Sequence, residues 1–523
     1  SSEKLLTRNC IPRTTITAMK TQPCRKNSVE ERNIMQTSRR SLIKGGFLAT
    51  MAAGAGLTTE AMAAPAAKGK TYDLVIAGCG IGGIVCAIRA AQNGLKPVVL
   101  EKMSEASGNT VFSAGFMLGV NTKMQQAKGL KGDSVEAFYE DMMKVSQGKG
   151  NPALTRLVAE KADEVVTWMN EYVGVKYAVG MKLVWPMLTR AHLTVGEVKP
   201  GGKQLMNYLL AKAKELNVPI VYSAKVVEVL ANEKTGAATG VKVKTRRGFE
   251  DYYGTLGVVM ATGGYSANQM MMTMMAGAAA AQMPLRGSRS VTGESILLTA
   301  PFFPRVVNVD QYHCGPIHGP TGANPLNIVN TGIAVSRETV RYTDEGQTYV
   351  QMARDTAALT KDNWGFLIVD EDTHNLPMLK NDWFSYSSKN APVYKGNTIE
   401  ELAKDAGLDP KKLTKIVDEY NAALKNKSLA TLTPPNTHKT PRPILKAPFY
   451  AVPFQGGMTA TFGGPLINTR GQVLDTEGRP VSGLFAVGNA AGGLFYDNYV
   501  GGAQLTSAAV IGCAIADYAK SRA

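Results

Sequence analysis

The chain has 523 residues, enough for two domains with cores of their own, and a composition typical of globular proteins. Its formal net charge is +16, but beyond residue 63 the basic excess is spread rather than gathered in runs, and no nucleic-acid-binding motif accompanies it, so we expect no nucleic-acid partner. The six cysteines form no C-x-x-C pair. We therefore predict no iron–sulfur cluster, no c-type haem and no other metal site.

The first segment with a recognisable pattern is an export signal. Residues 37–44 (TSRRSLIK) carry a twin arginine, an apolar stretch rich in glycine and alanine follows, and residues 61–63 (AMA) form a small-residue cleavage site. The apolar stretch is too short for a stable membrane span. We predict that residues 1–63 are an extension and signal peptide, and that the mature protein reaches the periplasm or the outer face of the cell membrane.

Residues 71–101 have the pattern of a dinucleotide-binding βαβ unit. An apolar strand is followed at once by Gly-x-Gly-x-x-Gly, an alanine-rich helix and a second strand that ends in Glu101. The glycines permit a tight turn and bring the backbone close to a pyrophosphate, whose charge lies at the helix N-terminus. Glu101 is placed to accept hydrogen bonds from ribose hydroxyls.

Later segments favour FAD over NAD. Residues 107–115 form a small-residue loop that suits the face of an isoalloxazine ring, and residues 258–265 are a strand that runs into glycines. Residues 483–493 are a strand that enters a glycine-rich turn of the kind that closes over a ribityl chain, and residues 218–227 suit the adenine side. The predicted FAD-binding residues are Gly78, Gly80, Gly83, Glu101, Lys102, Gly108, Asn109, Thr110, Ser113, Gly115, Val226, Ala261, Thr262, Gly263, Gly488, Asn489, Gly502, Gln504 and Leu505.

Short motifs are spread over nearly the whole of the remaining chain. They are GNT at 108–110, ATGGY at 261–265, TGES at 292–295, R-Y-x-x-E at 341–345, FYAV at 449–452 and TFGG at 461–464. With this set the chain resembles the flavoprotein family of soluble fumarate reductases and 3-ketosteroid dehydrogenases, from about residue 72 to residue 516. The motifs are specific for the family and do not identify a substrate.

The resemblance implies an α/β fold in which a discontinuous, Rossmann-like FAD-binding domain is interrupted by an α+β clamp domain. The FAD-binding domain would comprise residues 64–309 and 459–523, and the clamp residues 310–458. The resemblance also implies an FAD-dependent oxidoreductase acting on CH–CH groups, with hydride transfer through flavin N5 and a protein acid that serves the adjacent carbon. The expected partners are a small molecule with an activated C=C bond and an external electron donor or acceptor, linked to a cytochrome or a quinone.

Three positions depart from the fumarate reductases of the family. Their proton-donating arginine lies eight residues after the arginine of R-[FY]-x-x-E. Counted from Arg341, that position holds Tyr349 here. Their carboxylate-binding arginine before the closing glycines is Tyr499, and the histidine before the T-[MF]-G-G segment is Ala460. Because tyrosine cannot make the planar, bidentate pair of arginine with a carboxylate, fumarate is a poor candidate.

The ketosteroid dehydrogenases carry tyrosines at both positions, so the resemblance implies a neutral enone such as a ketosteroid-like compound. One phenol would hydrogen-bond the carbonyl oxygen and stabilise the enolate. The other would transfer the α-proton, provided that its surroundings lower its pKa from about 10. We assign the carbonyl to Tyr499, with Tyr496 as a lesser rival, and proton transfer to Tyr349. His313 matches a family histidine that contacts substrate.

Alternatives remain at this stage. If the loop is longer than in the relatives, Arg354 is the acid of a fumarate or acrylate-type enoate reductase. A non-enzymatic alternative is a flavin-carrying electron-transfer or binding subunit. The residues do not decide the direction of the reaction, but export favours reduction because respiratory carriers, and not NADH, are at hand outside the cytoplasm.

Overall fold

The computed structural model describes residues 69–183 and 185–523, and the predicted extension and signal, residues 1–63, lie outside the described residues. The strands are β1 (Lys70–Ala77), β2 (Pro97–Leu100), β3 (Phe116–Leu118), β4 (Tyr177–Ala178), β5 (Ala191–Thr194), β6 (Ile220–Val221), β7 (Lys225–Ala231), β8 (Ala238–Thr245), β9 (Gly248–Met260), β10 (Val306–Val307), β11 (Tyr312–Ile317), β12 (Ile333–Ser336), β13 (Gly365–Val369), β14 (Tyr394–Gly396), β15 (Phe449–Thr461), β16 (Gly464–Pro465), β17 (Gln472–Leu474) and β18 (Pro480–Ala486). The α-helices are α1 (Ile81–Gln92), α2 (Lys123–Ala127), α3 (Val135–Val145), α4 (Pro152–Trp168), α5 (Gly201–Glu215), α6 (Gln269–Ala276), α7 (Ala278–Ala281), α8 (Glu294–Thr299), α9 (Tyr349–Leu359), α10 (Glu371–His374), α11 (Lys380–Ser388), α12 (Ile399–Ala406), α13 (Pro410–Lys425) and α14 (Ala503–Arg522). Within these ranges no helix is both long and apolar enough to cross a membrane.

The largest sheet has a parallel centre in the strand order β18-β9-β1-β2-β6. β17 extends it at one end, and β7 and β8 form an antiparallel hairpin beside β9. Leu74, Val75 and Ile76 of β1 have no exposed surface, as expected for a parallel strand that is covered on both faces. The βαβ unit predicted for residues 71–101 is confirmed, because β1, α1 and β2 follow in order and the two strands pair in parallel.

Helices α1 and α14 pack closely because glycines stand where they meet. A Cβ added at Gly512 would lie 2.7 Å from the backbone oxygen of Gly82. The C-terminal segment also supplies a strand of the parallel sheet, since Leu484 of β18 lies opposite Val258 of β9. The nucleotide-binding layer is thus built from segments that are distant in the chain.

A second, antiparallel sheet has the order β11-β15-β13-β12, with β14 paired to β15. Alternate residues of β13 face two clusters: Phe366 and Ile368 pack with the apolar faces of α12 and α13, and Leu367 packs with Met352 of α9. This period of two is the one expected of a strand covered on both faces. The predicted α/β class is confirmed. The domain boundaries stay a prediction, and β15 continues beyond residue 458.

A third sheet, β3-β5-β4, lies beside helices α3 to α5. Arg190, directly before its central strand β5, is fully buried and is held by two carboxylates. Its Nε lies 2.6 Å from Asp133 Oδ2, and its Nη1 lies 2.7 Å from Asp141 Oδ2. This sheet begins directly after the predicted small-residue loop, and Gly115 approaches the backbone of Gly201 at the start of α5 so closely that an added Cβ would lie 2.4 Å from its carbonyl carbon. The loop is therefore fixed against a folded layer.

Candidate active site

One cavity of about 420 Å³ runs between the glycine loops and the second sheet. All but one of the predicted FAD-binding residues line it. The exception is Gly83, whose added Cβ would lie 2.1 Å from the backbone oxygen of Gly78. Gly83 therefore allows the first turn of α1 to approach the loop, while Gly78 has φ +111°, which a residue with a side chain rarely adopts.

Glu101 is buried at the end of β2 and lines the cavity. Its Oε2 accepts a hydrogen bond from the backbone N–H of Cys79 (3.0 Å), and its Oε1 accepts one from that of Met103 (2.9 Å). Burial raises the pKa of Glu101, and the two backbone N–H groups oppose that shift. Each oxygen keeps further lone-pair capacity, which fits the ribose hydroxyls for which the residue was predicted.

The TGES motif faces the same cavity. Lys102 Nζ lies 2.5 Å from Glu294 Oε1 and 2.8 Å from Thr292 Oγ1, so the charge of this lysine is paired. Three buried atoms of the lining have no hydrogen-bond partner among the described residues: Thr262 Oγ1, Glu294 Oε2 and Gln504 Nε2. Unsatisfied buried polar atoms are costly, and their position in this lining fits a polar dinucleotide.

Two tyrosines line the far end of the cavity. Tyr349 is the first residue of α9, whose N-cap Thr348 accepts a hydrogen bond from the third residue of the helix. Tyr499 lies in the loop between β18 and α14. The two residues predicted as a catalytic pair thus meet in one cavity, although more than a hundred residues separate them in the chain.

His313, on β11, lies behind the two tyrosines and is not part of the cavity lining. Its ring centroid is 5.8 Å from that of Tyr349 and 4.7 Å from that of Tyr499. Its Nε2 lies 3.3 Å from the Tyr349 hydroxyl, and its Nδ1 lies 3.1 Å from Asn498 Oδ1. The substrate contact that the resemblance implied for His313 stays a prediction, and the structure shows His313 in contact with both tyrosine rings.

The electrostatics of this group follow from burial. Burial, with the charge of Arg286, lowers the pKa of His313 to about 3, so the imidazole is neutral. Its Nδ1–H donates to Asn498, which leaves Nε2 to accept from the Tyr349 hydroxyl. Burial raises the pKa of both tyrosines, while Arg286 opposes the shift at each. The lowered tyrosine pKa that proton transfer was expected to need is not found, and both phenols are neutral hydrogen-bond donors.

Arg354, the alternative acid, points elsewhere. Its guanidinium forms an ion pair with the Asp497 carboxylate and donates to the backbone oxygens of Asp497 (2.5 Å) and Tyr312 (2.9 Å). It is not among the residues that line the cavity. Arg354 therefore ties α9 to the loop that carries Tyr499.

Arg286 is a site residue that sequence reasoning missed. It follows α7, its backbone N–H donates to Met458 O (2.7 Å), and its side chain lines the cavity. Its Nη1 donates to Thr459 Oγ1 (3.1 Å). The available signal was an arginine a few residues before the TGES motif. Arg289 has the same property, so the sequence does not distinguish the two arginines. Only the structure shows that Arg289 is exposed.

A dinucleotide-binding sheet and a cavity lined by FAD-type loops define an FAD-binding protein. The chain belongs to the family described as FAD binding domain, whose profile matches residues 73–505. A probable fumarate reductase of Shewanella frigidimarina is 27% identical over 463 residues, which cover 88% of this chain and 76% of the relative.

Two solved structures have the same architecture. One is the open conformation of a flavocytochrome c3 fumarate reductase, with 25% identity and a TM-score of 0.74, covering 86% of this chain and 78% of that one. The other is the 3-ketosteroid-Δ4-(5α)-dehydrogenase of Rhodococcus jostii RHA1, with 24% identity and a TM-score of 0.70, covering 88% and 99%. The predicted family, fold, cofactor and enzyme class are confirmed.

Proposed function

We propose that this protein reduces a C=C bond conjugated to a carbonyl group in a small organic substrate that binds at the tyrosine end of the cavity. One observation carries the proposal: Tyr349, Tyr499 and Arg286 line the same cavity as the FAD-binding loops. Bound FAD supplies the hydride for such a reaction. The protein must then supply a proton and a group that stabilises negative charge on the carbonyl oxygen.

The phenols divide these roles. Tyr499 hydrogen-bonds the carbonyl oxygen, and Tyr349 delivers the proton to the α-carbon. In the resting site the Tyr349 hydroxyl donates to His313 Nε2, 3.3 Å away, and its single proton must turn from His313 to the α-carbon for the transfer. Asn498 holds Tyr499 by accepting its backbone N–H at 2.8 Å. The positive charge of Arg286 favours the phenolate that Tyr349 becomes when it gives up its proton.

The neutral enone predicted from the sequence rests on the replacement of both family arginines by tyrosine. That premise does not hold for the cavity as a whole, because Arg286 brings a guanidinium to it from another segment. The proposed substrate class is therefore an alkene conjugated to any carbonyl, carboxylates included. We also propose that an external electron carrier exchanges electrons with the flavin and that the signal in residues 37–63 directs export of the protein.

The test uses the anaerobic holoprotein, whose flavin is reduced with dithionite and then mixed with candidate oxidants. The panel contains fumarate, hydroxycinnamates, urocanate and 3-ketosteroids, and its control is a styrene that lacks the carbonyl group. We expect rapid return of the oxidised flavin spectrum with at least one conjugated alkene and none with the control. Failure of every conjugated alkene would contradict the proposal and would favour the electron-transfer alternative.

A further inference from the structure

The Arg286 side chain lies in a slot that two paired glycines leave open in the second sheet. Gly315 of β11 and Gly457 of β15 are directly opposite each other in the antiparallel ladder. A Cβ added at Gly315 would lie 2.0 Å from Arg286 Nη1, and one added at Gly457 would lie 2.8 Å from Arg286 Cδ. The glycine pair thus opens the sheet surface at the place where the arginine crosses it.

The guanidinium has spare hydrogen-bonding capacity. Arginine carries five N–H donors in a planar fork, and the hydrogen bond of Nη1 to Thr459 Oγ1 uses one of them. No carboxylate lies within 4.0 Å of it in residues 69–183 and 185–523. Burial lowers the pKa of Arg286, and the groups that oppose this shift are Tyr349, Cys314 and Tyr499, none of them a carboxylate. The Arg286 side chain is half-buried and lines the cavity, so an anion that enters the cavity can reach the guanidinium and offset the cost of its partial burial.

The position of this charge relates it to the reaction. Arg286 Nη1 and the Tyr349 ring are neighbours above Gly315, because a Cβ added there would lie 2.0 Å from Nη1 and 3.3 Å from Tyr349 Cε2. Other cations of the lining are placed differently: Lys102 is paired with Glu294, and Lys225 is exposed at the start of β7. Arg354, near the tyrosines, is paired with Asp497.

We propose that Arg286 binds the carboxylate of the substrate, and that the substrate class is a 2-enoate with a single carboxylate and an apolar substituent. This deepens the proposed function and rests on it. One guanidinium accommodates one carboxylate in a bidentate pair. The lining of the cavity also includes the apolar residues Phe116, Met187, Leu326 and Ala460, which suit an apolar group better than a second carboxylate.

The arrangement gives Arg286 a role in the chemistry as well. One hydride and one proton add across the C=C bond, and the negative charge that develops after hydride addition spreads onto the carboxylate oxygens. A guanidinium on those oxygens stabilises this charge more strongly than the charge of the ground state, which is the requirement for catalysis. Tyr349, whose ring neighbours the guanidinium, is then close to the α-carbon that takes the proton.

The test compares two substrates of equal shape on the full-length holoprotein: para-hydroxycinnamate and its neutral methyl ketone counterpart, para-hydroxybenzalacetone. Wild type, Arg286→Gln, Arg286→Lys and the exposed-site control Arg289→Gln are each reduced and mixed with both. We expect Arg286→Gln to lose at least about 100-fold in kcat/KM for the carboxylate and less than about threefold for the ketone. Arg286→Lys should fall between, because lysine keeps the charge and loses the fork.

A second measurement does not depend on turnover. Binding of the saturated carboxylate, para-hydroxyphenylpropionate, to the oxidised holoprotein is followed by the perturbation of the flavin spectrum. Arg286→Gln and Gly457→Ala, which fills the slot, should both weaken binding at least tenfold, and Arg289→Gln should not. The visible flavin spectrum of each variant reports that it has folded with FAD.

The outcomes separate the two proposals. Equal loss on both substrates, or no loss on the carboxylate, would overturn the role of Arg286 while leaving reduction of conjugated alkenes intact. A wild type that is reoxidised by the ketone and not by the carboxylate would overturn the substrate class alone. Failure of wild type with every conjugated alkene would instead remove the proposed function.

Discussion

At the scale of single residues, the proposed chemistry of the site depends on one neutral imidazole in contact with two phenols. His313 is uncharged because burial and the nearby Arg286 hold its pKa at about 3. A protonated imidazole would donate at both nitrogens and could not accept from the Tyr349 hydroxyl. The arrangement therefore fixes the direction of that hydrogen bond and keeps Tyr349 in its place at the cavity wall.

Tyr349→Phe tests the proton-transfer role. The substitution keeps the ring that packs against His313 and removes the hydroxyl, so we expect FAD to stay bound and turnover to fall at least about tenfold. Stopped-flow reoxidation of the reduced holoprotein measures the effect. Tyr496→Phe is the matched control, since the Tyr496 hydroxyl contacts Lys149 and Tyr496 does not line the cavity. Near-normal rates in Tyr349→Phe would remove this residue from the mechanism.

Residues could be predicted where their role is local in the chain. Gly78, Gly80 and Glu101 stand at fixed spacings within one βαβ unit, so their pattern carries their function. Arg286 could not be found in that way, because its position depends on a glycine pair contributed by β11 and β15. The environment of Arg354 was equally out of reach, since its partner Asp497 is remote in the sequence.

At the scale of elements, the layer beside the FAD loop is organised by buried polar groups of β5. His192 is fully buried; its Nε2 lies 2.8 Å from Thr122 Oγ1, and its Nδ1 lies 2.8 Å from Arg190 O. Since a carbonyl only accepts, Nδ1 carries the proton and Nε2 accepts from the threonine. Burial lowers the pKa of His192 to about 4, so the folded layer holds this histidine in its neutral form.

This predicts a loss of stability in mild acid. The folded pKa of His192 lies below the unfolded value of about 6.5, so between these values the unfolded chain binds the extra proton and stability falls as pH falls. From pH 7 to pH 5 the contribution of this histidine is about 2 kcal/mol.

Urea unfolding of wild type and His192→Gln at both pH values measures this contribution. The difference in unfolding free energy between pH 7 and pH 5 should be smaller by that amount in the variant. Other buried histidines, His313 among them, act alike in both proteins and cancel. An unchanged difference would mean that His192 is not held neutral.

The elements themselves were predicted best where hydrophobic patterning is continuous. The strand at 71–77 and the helix after it were recognised because a buried parallel strand reads as an apolar run. The segment at 449–464 was recognised by motifs, but the sequence did not show that it forms one long strand, β15, that pairs with three others. Pairing of this kind depends on partners elsewhere in the chain.

At the scale of the whole molecule, FAD is a structural component as well as a reagent. Its predicted ligands come from the first βαβ unit, from the loop after β2, from the end of β9 and from the last turn before α14, so one bound molecule connects segments from both ends of the described chain. A ligand that binds only the folded state stabilises it in proportion to the logarithm of its concentration.

Removal of FAD should therefore lower the melting temperature, and added FAD should raise it again. When binding is saturating, each tenfold rise in FAD concentration should add about 1.4 kcal/mol to the free energy of unfolding. Thermal unfolding followed by circular dichroism measures the effect on the apoprotein. NAD, which lacks the isoalloxazine, is the control and should give a smaller rise at every concentration. A rise as large with NAD would contradict the assignment of FAD.

The pairing of β18 with β9 also has a consequence for biosynthesis. β9 ends at Met260, whereas β18, which completes the parallel sheet, begins only at Pro480, and α14, which packs on α1, follows it. A nascent chain thus carries β9 with an unpaired edge while the second sheet is still being made, and such an edge invites association with other chains. Closing so distant a pair is slow, so we expect the chain to be most prone to association before β18 has paired with β9.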